Sequence, residues 1–240
     1  MPVALVSGGS SGIGRAVSLG LAEAGYDVHV GARRREALDK LAAENPRISV
    51  QTVDVTDYSA VAAWVESVGR IDVVFNNAGI SMPTTPFGEL DPADWRQMVE
   101  VNLNGAFNLA HAAYRAMQRQ SPQGGRIINN GSVSAYVPRP GAAHYAATKH
   151  GIAGLTKSIS LDGRAYNIAC SQIDIGNVAT DMTMKMTSGI MQASGEMAVE
   201  PRFDVRHVVD AVVYMAGLPL EANVQFMTIM ATNMPYIGRG

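Results

Sequence analysis

The chain has 240 residues, a formal net charge of −2, and 47% hydrophobic against 17% charged residues. This length suits one large α/β domain over residues 1–240, and the composition supplies a core and excludes a disordered chain. The near-neutral charge offers no basic surface for nucleic acid, and no apolar run approaches the ~18 residues needed to cross a membrane.

Short β-branched runs alternate with longer helical patterns along the chain. The sequence predicts strands over 3–6, 28–30, 48–53, 73–75, 126–129, 168–175 and 224–229. It predicts helices over 13–24, 35–44, 59–68, 92–118, 145–162 and 205–216, with Asp57 or Ser59 capping the third helix and Asp91 the fourth. This alternation predicts an α/β fold with a Rossmann-type doubly wound parallel sheet of about seven strands and helices on both faces.

The stretch 180–202 is rich in Met, Ser and Gly and follows the sixth predicted strand. Ligands of such sheets bind beyond the carboxyl ends of the strands, so we expect this stretch to be a substrate lid within the domain. The alternative is a variable surface excursion. Met182, Met184, Met186, Met191 and Met197 would make the lid apolar and adaptable.

The expected compartment is the cytoplasm. Cys170 is the only cysteine, so it cannot form an internal disulfide. The first residues lack the charged region of a signal peptide and read as a strand.

A glycine-rich turn directly follows the first predicted strand and opens the first helix. It reads Ser7-Gly8-Gly9-Ser10-Ser11-Gly12-Ile13-Gly14. Gly8 permits a tight turn, Gly12 lets the backbone approach a pyrophosphate, and Gly14 allows close helix packing. The unpaired N–H groups of the helix N-terminus would bind the anion, whereas the alternative is an ordinary turn. We therefore predict cofactor contacts at Gly8, Ser10, Ser11, Gly12, Ile13 and Gly14.

The turn resembles that of the short-chain dehydrogenase/reductase family, and the family's other landmarks follow in order. These are Asn76-Asn77-Ala78-Gly79, Val101-Asn102-Leu103-Asn104-Gly105, Ser132 thirteen residues before Tyr145, and Tyr145-Ala146-Ala147-Thr148-Lys149. The resemblance covers residues 3–182 approximately and rests on five ordered motifs.

The end of the second predicted strand indicates the nucleotide. NAD-preferring folds place an acidic residue there, but this chain has Gly31-Ala32-Arg33-Arg34-Arg35. An arginine can bind a 2′-phosphate bidentately, so we favour NADP over NAD and expect Arg33, then Arg34, to make the contact. The alternative is a solvated basic helix start.

The resemblance implies further cofactor contacts. Asp54 and Val55 would contact adenine, although Asp54 could equally cap a turn. Asn77, Ala78 and Gly79 would line the adenosine side, and Gly176, Val178 and Thr180 would hold the nicotinamide carboxamide. One departure is Ile175, which stands where the family usually has proline and leaves the direction of the lid unfixed.

Tyr145 and Lys149 are four residues apart and therefore share one face of a helix. A nearby ammonium favours the phenolate, so the pair can exchange a proton with an alcohol or a carbonyl. The resemblance implies that Ser132 stabilises the reacting oxygen, that Asn102 holds a water in a proton relay to Lys149, and that Lys149 also binds the nicotinamide ribose.

The expected function is hydride transfer between NADP(H) and a small alcohol or carbonyl substrate by a homodimer or homotetramer. A 3-oxoacyl-carrier-protein reductase, a nucleotide-sugar epimerase and a non-enzymatic dinucleotide sensor remain alternatives on this fold. A 3-oxoacyl-carrier-protein reductase usually ends in a Gly-Gly segment, which the tail of this sequence does not show. An epimerase normally needs a longer substrate region than the short tail after residue 224. A dinucleotide sensor often lacks the catalytic Tyr or Lys, and this chain has both. No histidine spacing indicates a metal, and Arg139 is a candidate for recognising an anion.

Overall fold

The computed structural model describes residues 1–180, 183–184 and 188–237. Its first six strands are β1 (Val3–Ser7), β2 (Asp27–Ala32), β3 (Ile48–Thr52), β4 (Val73–Asn76), β5 (Gly125–Asn130) and β6 (Ile168–Ile175). A short antiparallel hairpin, β7 (Ile190–Met191) and β8 (Met197–Ala198), precedes the last strand, β9 (Phe226–Ile229). Within the described residues, the parallel strands form a seven-stranded sheet in the order β3-β2-β1-β4-β5-β6-β9, which confirms the predicted Rossmann-type sheet.

Helices cover both faces of this sheet. They are α1 (Gly12–Glu23), α2 (Arg35–Glu44), α3 (Tyr58–Val68), α4 (Pro92–Val99), α5 (Gly105–Arg119), α6 (Ala143–Asp162) and α7 (Arg206–Gly217). Three-residue and four-residue 3₁₀ turns occur at Phe87–Glu89, Val133–Ala135 and Gly163–Tyr166.

The core forms two layers because side chains alternate along each strand. Ala4 and Val6 of β1 pack into the layer that contains residues of α1, α2 and α7. Leu5 points to the opposite layer, which contains residues of α3 and α5. Both faces of β1 are therefore buried, as expected for a central parallel strand.

The strand order reverses between β1 and β4, which are neighbours although two strands separate them in the chain. At such a switch point, the loops that leave the two strands diverge and open a crevice at the carboxyl edge of the sheet. Ligand-binding residues are therefore expected to line this crevice.

The predicted helix over 92–118 is wrong as a single α-helix. The structure divides it into α4 and α5 by a π-helical turn at Glu100–Asn104. The wider turn coincides with two long-range constraints: Asn102 hydrogen-bonds the loop after β4, and Gly105 lies against Val55. A helix pattern read along the chain does not contain either partner.

Both predicted N-terminal caps are present. Asp57 accepts a hydrogen bond from the Ala60 amide at 3.0 Å, and Asp91 accepts one from the Ala93 amide at 2.7 Å. Among the helices of the described residues, none is both long and apolar enough to span a membrane.

Candidate active site

The glycine-rich turn joins β1 to α1 in the predicted place. Gly8 and Gly12 have φ angles of +67° and +55°, a backbone region that favours glycine. A Cβ atom on Gly8 would lie 2.8 Å from the Ala78 Cα atom, so the turn packs directly on the loop after β4. Gly9 was not singled out by the sequence, but a Cβ there would lie 2.2 Å from the Val30 Cγ1 atom.

The start of α1 is suited to an anion. Ser11 precedes the helix, and in the described structure its side chain makes no capping hydrogen bond to the first turn. The first N–H groups of the helix therefore remain available at the positive end of the helix dipole. Thr180 lies across this turn, because a Cβ on Gly12 would lie 3.9 Å from its side chain.

A cleft of about 220 Å³ opens beside this turn at the carboxyl edge. Its walls come from the ends of β1, β2, β3 and β4 and from Val101. The predicted residues that line it are Gly8, Ser10, Ser11, Arg33, Arg34, Asp54, Val55, Ala78 and Gly79. Most of the predicted adenosine and phosphate residues are thus brought together in one crevice, whereas Gly12, Ile13, Gly14 and Asn77 are not among the residues that line it.

The arginines after β2 differ in their surroundings. Arg33 and Arg34 line the cleft, and an Arg34 Nη2 atom donates a hydrogen bond to Ser10 Oγ at 3.2 Å. Arg35 instead pairs with Asp39 along the exposed face of α2. Two of the three guanidinium groups therefore border the cleft next to the phosphate-binding turn.

Asp54 lines the cleft, and Asn77 lies beside it in the loop after β4. Asp54 Oδ1 accepts hydrogen bonds from the amide and hydroxyl of Thr56, so this residue both stabilises a turn and lines the cleft. The Asn77 side chain donates to the Ser7 carbonyl at 2.9 Å and accepts from Asn130 Nδ2 at 2.8 Å. It thereby ties the ends of β1, β4 and β5 together.

Tyr145 and Lys149 lie on α6 near the carboxyl edge of the sheet. The Lys149 Nζ atom donates a hydrogen bond to the Asn130 carbonyl at 2.7 Å and lies 5.6 Å from the centre of the Tyr145 ring. Lys149 is buried, with 8% of its surface exposed, so its ammonium acts in a medium of reduced dielectric constant.

Ser132 lies two residues after the end of β5 and is buried. Its Oγ atom accepts a hydrogen bond from the Ser134 amide at 3.1 Å, which caps the Val133–Ala135 turn. That turn packs against α6, so Ser132 and Tyr145 belong to adjoining elements at one edge of the sheet.

Asn102 is buried in the π-helical turn, and its side chain holds the backbone of Ile80 from both sides. Its Oδ1 atom accepts from the Ile80 amide at 2.7 Å, and its Nδ2 atom donates to the Ile80 carbonyl at 2.9 Å. These bonds make Asn102 a brace for the loop after β4. The water relay to Lys149 stays a prediction.

Asp174, near the end of β6, was missed by the sequence reading. Its Oδ1 atom accepts from the Ser132 amide at 3.0 Å and from Gln172 Nε2 at 2.7 Å, and its Oδ2 atom accepts from the Tyr136 hydroxyl at 3.0 Å. Burial raises the pKa of this carboxyl, while its hydrogen bonds and the Lys149 charge act in the opposite direction. A Cβ atom on Gly131 would lie 2.1 Å from Asp174 Oδ1, so the carboxylate occupies the space beside a glycine.

Tyr136 shares this network. Burial, followed by the charge and hydrogen bond of Asp174, raises the pKa of the Tyr136 phenol to about 12. A signal in the sequence was available, since an aspartate inside the apolar run 168–175 requires buried partners. The spacing of residues along the sequence does not identify those partners.

A second buried polar cluster lies where the chain leaves β6. Asn177 donates to Glu200 Oε2 at 2.7 Å and accepts from Arg139 at 2.9 Å, and Arg139 forms an ion pair with Glu200. Gln192 Nε2 adds a bond to Glu200 Oε1 at 3.1 Å. Arg139, the candidate for an anion, is thus paired with a carboxylate of this chain.

This cluster fixes the chain after β6, whose direction is not set by a proline at position 175. Asn177 fixes the chain after Ile175 through side-chain bonds, and Phe203 adds a backbone bond from its amide to the Asn177 carbonyl at 3.0 Å. Gly176 lies against Met230 and Met234, where a Cβ would lie 2.6 Å from the Met234 sulfur. Of the predicted lid, the described part contains the β7–β8 hairpin, whereas Met182 and Met186 lie outside the described residues.

The fold and the cleft have the form of a dinucleotide-binding α/β protein. A family model described as short chain dehydrogenase matches residues 2–190. The chain therefore belongs to the short-chain dehydrogenase family of oxidoreductases.

Known proteins agree with this assignment. The chain is 30% identical to sulfoacetaldehyde reductase 2 of Chromohalobacter salexigens, over 98% of this chain and 96% of that protein. It is 36% identical to gluconate 5-dehydrogenase of Gluconobacter oxydans, over 77% of this chain and 74% of that protein. The crystal structure of a gluconate 5-dehydrogenase from Burkholderia cenocepacia in complex with NADP and tartrate superposes with a TM-score of 0.83 at 29% identity, covering 95% of this chain and 93% of that one.

Proposed function

We propose that this chain transfers a hydride between NADP(H) and an alcohol or carbonyl substrate, with Tyr145 as the general acid and base. The observation that carries the proposal is the position of Lys149, whose ammonium donates a hydrogen bond to the Asn130 carbonyl and lies 5.6 Å from the centre of the Tyr145 ring. Ser132 lies two residues beyond the end of β5 at the same edge of the sheet.

The residues of the cleft suit the adenosine and phosphate part of NADP(H). The turn formed by Gly8, Ser10, Ser11, Gly12, Ile13 and Gly14 would hold the pyrophosphate, and Arg33 and Arg34 would bind the 2′-phosphate. Asp54, Val55, Asn77, Ala78 and Gly79 would form the adenosine side, and Gly176, Val178 and Thr180 the nicotinamide side. When bound, NADPH supplies a hydride and NADP⁺ accepts one.

The side chains would handle the proton and the oxygen. In reduction, the Tyr145 hydroxyl donates its proton to the substrate oxygen as the carbonyl carbon gains the hydride, so that an alcohol forms. Lys149 stabilises the phenolate that remains, and the Ser132 hydroxyl donates to the substrate oxygen. Asn102 would hold the relay that returns a proton through Lys149.

The test is a Tyr145→Phe variant with Tyr214→Phe as the matched control. Tyr214 is exposed on α7, far along the chain from the site. Losing a general acid lowers kcat by about 10²–10⁴-fold, while NADPH binding followed by nicotinamide fluorescence stays unchanged. Wild-type turnover in Tyr145→Phe would overturn the proposed mechanism.

The substrate screen uses the chemistry of the relatives as its starting point. Sulfoacetaldehyde with NADPH and gluconate with NADP⁺ are two probes, alongside simple aldehydes and ketones. A protein that binds NADPH but turns over none of these would favour the dinucleotide-sensor alternative.

We also propose a cytoplasmic homodimer or homotetramer of single-domain chains, with residues 180–202 as the substrate lid. The free, buried thiol of Cys170 supports a reducing compartment. The exposed aromatic side chains of Phe107 on α5 and Trp95 on α4 support an interface on these helices. Light scattering would test the assembly, and a monomer at micromolar concentration would contradict it.

A further inference from the structure

A fully buried carboxylate lies directly behind the serine of the candidate site. Asp174 has no exposed surface, and its two oxygens accept three hydrogen bonds, one from Gln172 on the same strand and two from Ser132 and Tyr136, which flank the Val133–Ala135 turn. A buried carboxylate is costly unless it is well paired, so each of these bonds matters to the local structure.

The bond to Ser132 is made by the backbone amide and not by the hydroxyl. The neighbouring Gly131 amide is held by the Ile173 carbonyl at 2.8 Å, and the Asn130 carbonyl is held by Lys149. Asp174 is therefore the last of three consecutive ties on the segment that ends β5. It fixes the peptide at Ser132, and with it the direction in which the Ser132 side chain leaves the backbone.

The second oxygen holds the turn that follows Ser132. Tyr136 donates its hydroxyl proton to Asp174, although about half of the Tyr136 side chain is exposed. The carboxylate thus connects both ends of the Val133–Ala135 turn to β6. Removing it would release Ser132 and Tyr136 together.

We propose that Asp174 is a positioning residue for the reaction, acting through the Ser132 amide. This inference rests on the proposed function, in which Ser132 donates a hydrogen bond to the substrate oxygen. Displacement of a catalytic group by about 1 Å can lower a rate by about 100-fold, so the tie has kinetic consequences.

The experiment is a double-mutant cycle of Asp174→Ala and Ser132→Ala, read as kcat and KM with NADPH and the best carbonyl substrate found. We expect Asp174→Ala alone to lower kcat by about 10- to 100-fold with NADPH affinity changed by less than about 2-fold. In the Ser132→Ala background, Asp174→Ala should lower kcat by less than about 3-fold, because the Ser132 hydroxyl that Asp174 positions is already absent. Asp174→Asn keeps an acceptor for the Ser132 amide and should restore kcat to within about 5-fold of the wild type.

Asp72→Ala is the matched control. The Asp72 carboxylate also accepts a backbone amide, that of Val3, but it does so at the amino edge of the sheet. It should lower stability without changing kcat. If Asp174→Ala does not fold, Asp174→Ser replaces it in the cycle, because the serine Oγ takes the place of the aspartate Cγ and the Oδ1 atom that accepts from the Ser132 amide is removed, while a polar atom remains in the buried site.

The outcomes separate the two proposals. If Asp174→Ala lowers kcat equally in both backgrounds, or leaves kcat at the wild-type value, the positioning role is overturned while the proposed function stands. If the wild-type protein reduces no carbonyl with NADPH, or if Tyr145→Phe keeps full activity, the proposed function fails, and the role of Asp174 fails with it.

Discussion

Replacing Arg33 or Arg34 with alanine should weaken NADPH binding and leave NADH binding unchanged. The two nucleotides differ in the 2′-phosphate, and both side chains border the cleft beside Ser10. A hydrogen bond to a charged group contributes about 1.5–3 kcal/mol. Because both arginines are exposed, we use the lower half of this range, about 1.5–2 kcal/mol, which corresponds to about a 10- to 30-fold increase in the Kd for NADPH.

The assay is fluorescence titration of each variant with NADPH and, separately, NADH. Arg35→Ala is a close control, because it removes the same charge from the neighbouring residue, whose guanidinium pairs with Asp39 on α2. Its effect should stay below about 3-fold at 0.15 M salt, where the Debye length is about 8 Å. Equal weakening of both nucleotides by Arg33→Ala and Arg34→Ala, or weakening by Arg35→Ala that is as large as theirs, would refute the assignment.

Three further predictions concern stability. Asp174→Asn should gain stability relative to the wild type as pH rises. Burial raises the folded-state pKa of Asp174 above its unfolded-state value, so the free energy of unfolding of the wild type falls as pH rises through the folded-state pKa, whereas an asparagine does not titrate. Urea unfolding across pH 4–9 checks this, and a stability difference that does not change with pH would contradict it. Asn102→Ala should lower the free energy of unfolding by about 1–3 kcal/mol by leaving the Ile80 backbone unpaired, whereas Asn104→Ala, whose side chain pairs with an exposed glutamate, should stay within about 0.5 kcal/mol. Glu200→Gln should lower the melting temperature and raise KM by loosening the segment after β6, with Glu196→Gln as the exposed control; equal melting temperatures would argue against the cluster.

Local patterns predicted most of the fold, because its elements follow rules that act over a few residues. The helix over 35–44 has the predicted bounds, since an extended Arg34 precedes it and apolar residues recur at helical spacing. The division of the predicted helix over 92–118 was not predictable in this way. It accompanies bonds between Asn102 and Ile80, which are 22 residues apart in the chain.

The candidate site also contains residues that local motifs predict and residues whose partners are distant in the chain. The cleft residues belong to contiguous motifs at strand ends, and the structure brings Ser10, Arg33 and Asp54 together as the doubly wound topology requires. Asp174 and Glu200 belong to no motif. Their partners include Tyr136, 38 residues from Asp174, and Arg139, 61 residues from Glu200, and a single sequence does not pair such distant residues.

The contact between Gly131 and Asp174 also constrains the order in which the two positions can change. With Asp174 in place, any side chain at position 131 would meet its carboxylate oxygen at 2.1 Å. A smaller residue at 174 would remove this contact, but the Gln172 Cγ and Nε2 atoms would still lie 2.8 Å from the added Cβ, so the Gln172 side chain must also move before position 131 accepts a larger residue. In a lineage carrying this site, loss of the aspartate should therefore precede loss of the glycine, and an Asp174 paired with a larger residue at 131 should not occur without a shift of β5 against β6.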